Sequence, residues 1–306
     1  MPRPQYRVVV SIEGGSAVPV NAHTQVTDLS ADDHACLTFG EQEELLDLTA
    51  AFVRDGLDSG FRVVVLSDTP DLAAAKLGWR EIATESAVAA GKMLMVASHD
   101  ALVGPQGFSA RQAIGWLRDQ LAESRQQGYA GLRVALDMSW ALRPMTGIEE
   151  LPVLEEEIAA AVDGAGMSVL CGYDRERFDP ITLALIAPFH SHAVAAASYH
   201  DDPVLRICRQ YVPPGIRLAG EMDFLAADAL ALALGEAIRI DGDIAINMAK
   251  LSFIDAPSTR MIMEAITSLD SSRTVVLRCP PSIEARFVQL GADRLPHVSL
   301  DVVDEQ

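Results

Sequence analysis

The residues that follow Asp255 have the composition of a phosphorylation switch at the start of a helix. The stretch 250-KLSFIDAPSTRMIM-263 runs from an apolar strand into Asp255, and a helical pattern follows. Asp255 is placed to cap that helix by accepting from the Ser258 amide, because the intervening proline has no N–H. A phosphate there would gain from the helix dipole and would add negative charge to the surface. Ala256 directly follows the aspartate, so the hydroxyls left to accept phosphate are those of Ser258 and Thr259. The alternative is that both are exposed first-turn hydroxyls that serve solubility and capping alone.

Histidine and cysteine are the residues best suited to bind a metal ion. His190 and His192 lie in 188-PFHSHAV-194, at a spacing that suits one face of a strand, but no third ligand lies near them in the sequence. The cysteines form no C-x-x-C pair and are predicted to be reduced, buried thiols. They are Cys36, Cys171, Cys208 and Cys279. We therefore predict surface or capping roles for the two histidines, no metal site and no cofactor.

Nucleotide hydrolysis would require a glycine-rich loop whose amides and lysine hold phosphates. The candidate segment, 38-TFGEQEELL-46, has one glycine and no lysine. Glu41, Glu43 and Glu44 stand at its helix start, where carboxylates suit the helix dipole and would repel a triphosphate. ATP hydrolysis at this loop is not predicted.

Several side chains lie just beyond the ends of predicted strands, where ligands bind in open α/β sheets. A ligand pocket with Trp140 as its apolar wall and Asp137 or Arg175 as its polar anchor is one interpretation. In the other interpretation Trp140 fills the core, Tyr173 closes a strand, and Arg175 and Arg177 cover the surface. The sequence leaves both open.

Alternating strand and helix patterns must position these residues. Ser109 with Gln112 resembles a capping box for one of the helices. The predicted strands are almost wholly apolar, as strands buried on both faces should be: 35–39, 61–68, 92–97, 132–137 and 167–174. Such alternation predicts an α/β fold with a RecA-like, mainly parallel sheet covered by helices on both faces.

The composition changes after Ala197, and a second, smaller α/β unit follows. His200–Pro203 is predicted to be a linker, and a turn at 213–215 joins two strands beyond it. Helices are predicted at 225–239, 255–269 and 282–290. We predict these domains: an N-terminal arm at 1–30, with a possible strand at 7–12, a first domain at 31–200 and a second at 201–306.

Charge and hydropathy limit the classes of partner. The 306 residues are 49% hydrophobic and carry a net charge of −19, so direct binding to nucleic acid or to anionic membranes is not expected. No signal peptide and no apolar run of membrane-spanning length is evident. We expect a cytoplasmic protein.

The second domain resembles the STAS domain of bacterial anti-sigma-factor antagonists. The resemblance rests on 218-LAGEMD-223, 251-LSFID-255 and the segment 275–298. It implies that the helix after Asp255 docks on an anti-sigma factor or a switch-protein serine kinase, and that phosphorylation of a serine directly after the aspartate releases the partner. Here Ala256 occupies that position.

The same helix is predicted to have a core face and an outer face. Ile262, Ala265, Ile266 and Leu269 should face the core at helical spacing. Arg260 and Met263 then face outward, where a methionine would suit an adaptable docking surface. By resemblance, Glu221 and Asp223, on a loop at the same end of the sheet, are also candidate partner contacts, and solvated turn carboxylates are the alternative.

The first domain resembles the MEDS domain, a bacterial sensory module related to RecA/KaiC-type ATPases but without their catalytic residues. The match spans Asp33 to Ala197, and its most specific parts are 137-DMSWAL-142 and 173-YDRERF-178. The resemblance implies a sensor that responds to a small molecule or a partner.

Together these patterns predict a non-enzymatic bacterial regulator that switches partners. A small-molecule ligand or partner of the first domain would control whether the helix after Asp255 captures an anti-sigma factor or kinase. Two alternatives stay open. One is a nucleotide-binding, ATPase-type protein targeted by its second domain, and the other is a signalling scaffold that forms a homo-oligomer.

Overall fold

The computed structural model of the protein describes residues 24–104 and 106–303. The possible strand at 7–12 and most of the predicted arm at 1–30 lie outside these residues. Within them, no helix is both long and apolar enough to cross a membrane.

The first domain is built on a six-stranded sheet in which every pairing is parallel. Its strand order is β3-β2-β6-β7-β1-β8. Strand β2 reads RVVVLS and is buried along its whole length, because helices cover both faces of the sheet. The strands are β1 (His34–Phe39), β2 (Arg62–Ser67), β3 (Met93–Ala97), β6 (Leu132–Asp137), β7 (Met167–Asp174) and β8 (His192–Val194).

Helices α1 to α3 cover one face of this sheet, and α5 and α6 pack on the other. A two-residue hairpin, β4 (Val103–Gly104) with β5 (Gly107–Phe108), lies outside the sheet. The helices are α1 (Gln42–Asp58), α2 (Pro70–Trp79), α3 (Thr84–Ala89), α4 (Ser98–Leu102), α5 (Ala110–Gln126), α6 (Leu151–Val162) and α7 (Pro180–Ile186). The predicted parallel α/β architecture is confirmed.

The second domain is a mixed six-stranded sheet of order β14-β13-β12-β11-β10-β9, in which only the β9–β10 and β10–β11 pairings are antiparallel. Its strands are β9 (Ser198–Asp201), β10 (Leu205–Gln210), β11 (Gly215–Met222), β12 (Ile244–Ile254), β13 (Val275–Cys279) and β14 (Val298–Val302). Its helices, α8 (Ala227–Ile240), α9 (Ala256–Thr267) and α10 (Pro281–Gln289), pack on one face. Short 3-10 helices occur at Val26–Asp28, Met138–Leu142, Ile148–Glu150, Ala187–Phe189, Phe224–Ala226 and Ala292–Arg294.

The connection between the two sheets is short. Three alanines at 195–197 join β8 to β9. The predicted linker at His200–Pro203 is wrong, because His200 and Asp201 belong to β9 and pair with β10. Asp202 instead closes the hairpin by accepting from the amides of Val204 and Leu205, both at 2.8 Å.

The capping box predicted at Ser109 is also not formed. Ser109 occupies the N-cap position of α5, but its side chain accepts no capping hydrogen bond. Glu150 takes over this role from the chain segment before α6, since its Oε2 accepts from the Ala110 amide at 2.9 Å. The free amide at the start of α5 is therefore satisfied by Glu150, which is distant in the sequence, and not by the adjacent Ser109.

Candidate functional site

The start of α1 is the docking site of the second domain. Glu44 and Arg206 of β10 form a two-pronged ion pair, with Nη2 to Oε1 at 2.9 Å, and their side chains are 0% and 9% exposed. Glu41 accepts a single hydrogen bond from Nη1 of Arg217 in β11. The third acid of the predicted loop, Glu43, pairs within the first domain with Arg80, at 2.5 Å. Two of the three glutamates thus hold the domains together.

Asp47, one turn further along α1, accepts backbone hydrogen bonds from the second domain. Its carboxylate receives the Tyr211 amide at 3.0 Å and the Val212 amide at 3.0 Å. Burial raises the pKa of Asp47 to about 6, although Arg80 and these amides act to lower it. This buried carboxylate makes the contact sensitive to pH.

A second contact joins α2 to the far strands of the second sheet. The indole Nε1 of Trp79 donates to Asp301 at 2.5 Å, and the Arg278 guanidinium lies 3.9 Å from the Trp79 ring. Cys208 and Val212 of the second domain also join the apolar core beneath α1. The face of the second sheet opposite its own helices is therefore covered by the first domain.

A cavity of about 290 Å³ lies at the carboxyl ends of β2 and β6, between α1 and α2. Asp137 lines it, as the ligand-pocket interpretation expects, together with Asp68, Lys76 and Arg177. Burial raises the pKa of Asp137, and the nearby Asp68 adds to this, while its bond from the Ser139 amide lowers it. The volume lies at the small end of the range for small-molecule sites, about 300–1,000 Å³.

The other proposed pocket residues lie elsewhere. Trp140 and Tyr173 are 1% and 0% exposed and fill the core on the opposite face of the sheet, so their assignment to the pocket is wrong. Arg175 is exposed and is not among the lining residues, whereas Arg177 is exposed and also lines the cavity. The polar lining comes from Asp68, Lys76, Asp137 and Arg177, and Trp140 supplies no wall of the cavity.

The loop where a nucleotide-binding protein would hold phosphates is already occupied by protein groups. The Gly40 amide donates to Glu44 at 3.3 Å, and the Arg175 amide donates to the Phe39 carbonyl at 2.9 Å. A β-carbon on Gly40 would lie 2.8 Å from the Arg175 guanidinium, which therefore covers the loop.

A cluster of potential metal ligands lies between β1, β7, α6 and the segment before β8. It consists of His34, Glu155, Cys171 and His190, whose ligand atoms all lie within 4.8 Å of one another. Burial lowers the pKa of His34, which favours the neutral imidazole. His192 lies apart from the cluster, with its Nε2 3.2 Å from Asp33. The side chain of His190 is buried, so the predicted surface role is wrong, whereas its Nδ1 lies 3.1 Å from the carbonyl of Ile186 at the end of α7, as the predicted capping role expects.

The start of α9 is built as predicted around Asp255. Its Oδ1 accepts from the Ser258 amide at 2.8 Å, which confirms the cap. The expectation of exposed hydroxyls is wrong, because Ser258 and Thr259 are 1% and 2% exposed. Thr259 Oγ1 donates to the Asp255 carbonyl at 2.7 Å. A kinase would reach either hydroxyl only if this first turn opened, whereas Ala256 is exposed.

The outer face of α9 differs from the prediction at one residue. Arg260 is exposed as expected, but Met263 is only 8% exposed and joins the core with Ile262 and Ile266. Its outward assignment is wrong, since α10 packs beside this part of α9. An adaptable methionine surface is therefore not available here.

Exposed apolar side chains surround the capped start of α9. Glu221 is exposed and lies in β11 rather than in a loop, paired in register with Phe253 of β12. Asp223 caps the next short helix by accepting from the Leu225 amide at 2.9 Å. Phe253, Phe224 and Leu225 are 41%, 64% and 78% exposed. We call Phe224, Leu225, Phe253, Ala256 and Arg260 the tip surface.

Sequence reasoning missed most of the residues that the fold brings together. Arg206 and Cys208 alternate with core residues along β10, a pattern that by itself predicts a solvent-facing side, so the ion pair with Glu44 was not indicated by the strand pattern. The metal-ligand cluster carried no sequence signal, because its four residues come from four separate elements. Of the proposed pocket, only Asp137 lines the cavity.

Comparisons with known proteins match this division of the chain. The family model for MEDS, the MEthanogen/methylotroph, DcmR Sensory domain, matches residues 33–191, and the STAS domain model matches residues 211–305. A KaiC-like protein of the archaeon Pyrococcus horikoshii OT3 has a similar solved structure, with 11% identity and a TM-score of 0.43; the match covers 58% of this chain and 78% of that one. No curated protein matches the chain significantly. Because the MEDS model covers more than half of the residues, the chain belongs to the MEDS family, with a STAS domain after its MEDS domain.

Proposed function

We propose that this protein is a non-enzymatic signalling regulator in which the MEDS domain senses a small molecule and the STAS domain binds an anti-sigma factor or a switch-protein serine kinase. One observation carries the proposal. Helix α1 lines the cavity with one side and docks the STAS domain with the other, so a ligand and the second domain act on the same rigid element.

The two sides of α1 follow from helical spacing. Gln42, Leu45, Leu46 and Thr49 line the cavity at i, i+3, i+4 and i+7. Glu41, Glu44 and Asp47 lie on the opposite side and contact β10, β11 and the residues between them. A ligand changes the docking equilibrium only by the difference between its affinities for the docked and undocked arrangements. A small shift of α1 would supply that difference.

The tip surface is the proposed binding site for the partner. It combines exposed aromatic side chains with the capped start of α9, a helix that packs on one face of the STAS sheet, and the residues of this surface are exposed while the domains are docked. The MEDS domain covers the opposite face. A partner can therefore bind while the domains stay docked, and control by the MEDS domain must reach the tip surface through the sheet.

An alternative function, nucleotide hydrolysis, has less support. The Gly40 amide donates to Glu44 rather than being free for phosphate, and the acids at the start of α1 are paired with arginines rather than free for magnesium. With Ala256 after the aspartate and both nearby hydroxyls buried, we propose that domain contacts rather than phosphorylation set the affinity for the partner.

Site-specific photo-crosslinking in the native host tests the partner site. A crosslinker at Phe253 should capture an anti-sigma factor or a serine kinase, and one at Leu232, another exposed apolar position, on α8, should not. Phe253→Ala should then weaken binding of the captured protein about tenfold or more, as expected for an aromatic anchor. Equal capture from both positions, or capture of neither class of protein, would contradict the proposal.

A further inference from the structure

Besides the cavity, the MEDS domain contains a buried cluster of potential metal ligands: His34, Glu155, Cys171 and His190. The side chains of His34, His190 and Glu155 are 2%, 2% and 0% exposed. Both imidazole Nε2 atoms point at the same oxygen of Glu155, at 3.0 Å for His34 and 3.2 Å for His190. The Cys171 sulfur lies 3.4 Å from His34 Nε2 and 3.7 Å from the same carboxylate oxygen.

With both imidazoles neutral, hydrogen bonding alone leaves this cluster unsatisfied. The Nδ1 of His34 lies 3.0 Å from the Phe189 carbonyl, and the Nδ1 of His190 lies 3.1 Å from the Ile186 carbonyl. A carbonyl only accepts, so each Nδ1 must carry the proton of a neutral imidazole. Both Nε2 atoms then present lone pairs to a carboxylate that has only lone pairs to offer. The Nε2 of His190 is correspondingly buried without a hydrogen-bond partner.

A cation between these atoms removes the conflict. We infer that His34, Glu155, Cys171 and His190 form a closed binding site for a divalent transition-metal ion, with Zn²⁺ best matched to the ligand set. The thiol loses its proton to solvent on binding. One thiolate, one carboxylate and two neutral imidazoles around Zn²⁺ give a centre without net charge, which suits a fully buried position.

The distances fit tetrahedral coordination. Zn–N and Zn–O bonds of about 2.0–2.1 Å and a Zn–S bond of about 2.3 Å put neighbouring N and O ligands about 3.3 Å apart and place S about 3.5 Å from them. Four of the six separations between the ligand atoms, from 3.0 to 3.7 Å, bracket these values, and the other two are within 4.8 Å. Since protein atoms supply all four positions, the site is structural rather than catalytic.

The surrounding groups orient the ligands as outer-shell partners do in metal sites. The backbone carbonyls fix both imidazoles through Nδ1. The Tyr173 hydroxyl donates to Oε1 of Glu155, which leaves Oε2 facing the other three ligands. Tyr173 is thus a positioning residue. Because His190 lies two residues before the start of β8, the ion would fasten the last segment of the MEDS domain, which leads into the STAS sheet.

The test uses the full-length protein stripped with a chelator and titrated with Co²⁺ or Zn²⁺ alone. Co²⁺ should bind at one ion per chain and give the strong visible bands of a tetrahedral site with thiolate-to-cobalt charge transfer, and Zn²⁺ should displace it. Cys171→Ser should abolish the charge-transfer band, while Cys208→Ser, which changes another buried thiol, should keep it.

Matched histidine variants separate the site from surface binding. His190→Gln should weaken Co²⁺ binding more than the 10–100-fold expected for outer-shell changes, Tyr173→Phe should fall in that range, and His192→Gln should match wild type. The wild-type titration decides the question even if a variant misfolds. Absence of a tetrahedral cobalt spectrum in the wild type, or its persistence in folded Cys171→Ser, would overturn the inference.

Discussion

The ion pair between Glu44 and Arg206 gives the sharpest test of how the two domains are held together. Arg206→Gln removes one partner and leaves the Glu44 carboxylate, whose side chain is 0% exposed, without its cation. Breaking a buried pair in this way costs about 3–5 kcal/mol, because the remaining charge stays desolvated. At about 1.4 kcal/mol per factor of ten, even the lower value changes the ratio of docked to undocked protein by about 100-fold.

Tryptophan fluorescence can follow this undocking selectively. Trp79 contacts Arg278 and Asp301 of the STAS domain, whereas Trp116 and Trp140 pack in the core of the MEDS domain. In urea, Arg206→Gln should shift an early transition in fluorescence to lower denaturant while the loss of far-UV circular dichroism follows later. Trp79→Phe should remove that early transition.

The matched control is Arg118→Gln, the same chemical change in an ion pair with Glu157 whose side chains are 57% and 47% exposed. It should cost no more than about 1 kcal/mol. Glu44→Gln combined with Arg206→Gln should be less destabilising than the sum of the single changes, because the stranded charge is gone. Equal effects of Arg206→Gln and Arg118→Gln would refute the reasoning.

Three further predictions concern other parts of the molecule. Burial raises the pKa of Asp47 from 3.8 to about 6, so the folded protein holds this proton more tightly than the unfolded chain. The resulting contribution to the free energy of unfolding, about 3 kcal/mol, is present below pH 4 and is lost as pH rises through 6. The urea midpoint of the wild-type protein should therefore fall between pH 5 and pH 7 by more than the midpoint of Asp47→Asn does. An equal change in both proteins would contradict this. Asp255→Ala should cost about 1 kcal/mol of unfolding free energy through loss of the α9 cap, while Glu264→Ala on the exposed side of α9 should change it by less than about 0.5 kcal/mol; equal losses would contradict the capping role. Ala73→Phe should fill the cavity and remove a small molecule that native mass spectrometry detects on the wild-type protein from its own cells; retention of that molecule would place its site elsewhere.

The sequence predicted the elements of the fold well, because the signals for them are local. The apolar run of β2 indicated a strand buried on both faces, and the residues around Asp255 specified a capped helix. Local patterns failed where another element decides the outcome. Met263 is buried because α10 lies beside it, and α1 begins with acids because another domain supplies arginines.

The candidate sites were harder to predict for the same reason. The metal-ligand cluster joins residues 34, 155, 171 and 190, which no spacing rule connects, and His190 alone was noticed as a potential ligand. The cavity was predicted at the correct edge of the sheet, since strand ends determine that edge, but the side chains that line it depend on how the following turns pack.

The three alanines at 195–197 determine how far the domains can separate. Fully extended, three residues span about 10 Å, so the STAS sheet can rotate away from α1 but cannot diffuse from it. The docking face therefore meets its site at a high effective concentration, and an interface too weak to join two separate proteins suffices here. A free protein that competed for the same face of the sheet would have to overcome this tethering. Dilution cannot open the protein, and signals that alter the contact itself remain the effective means of control.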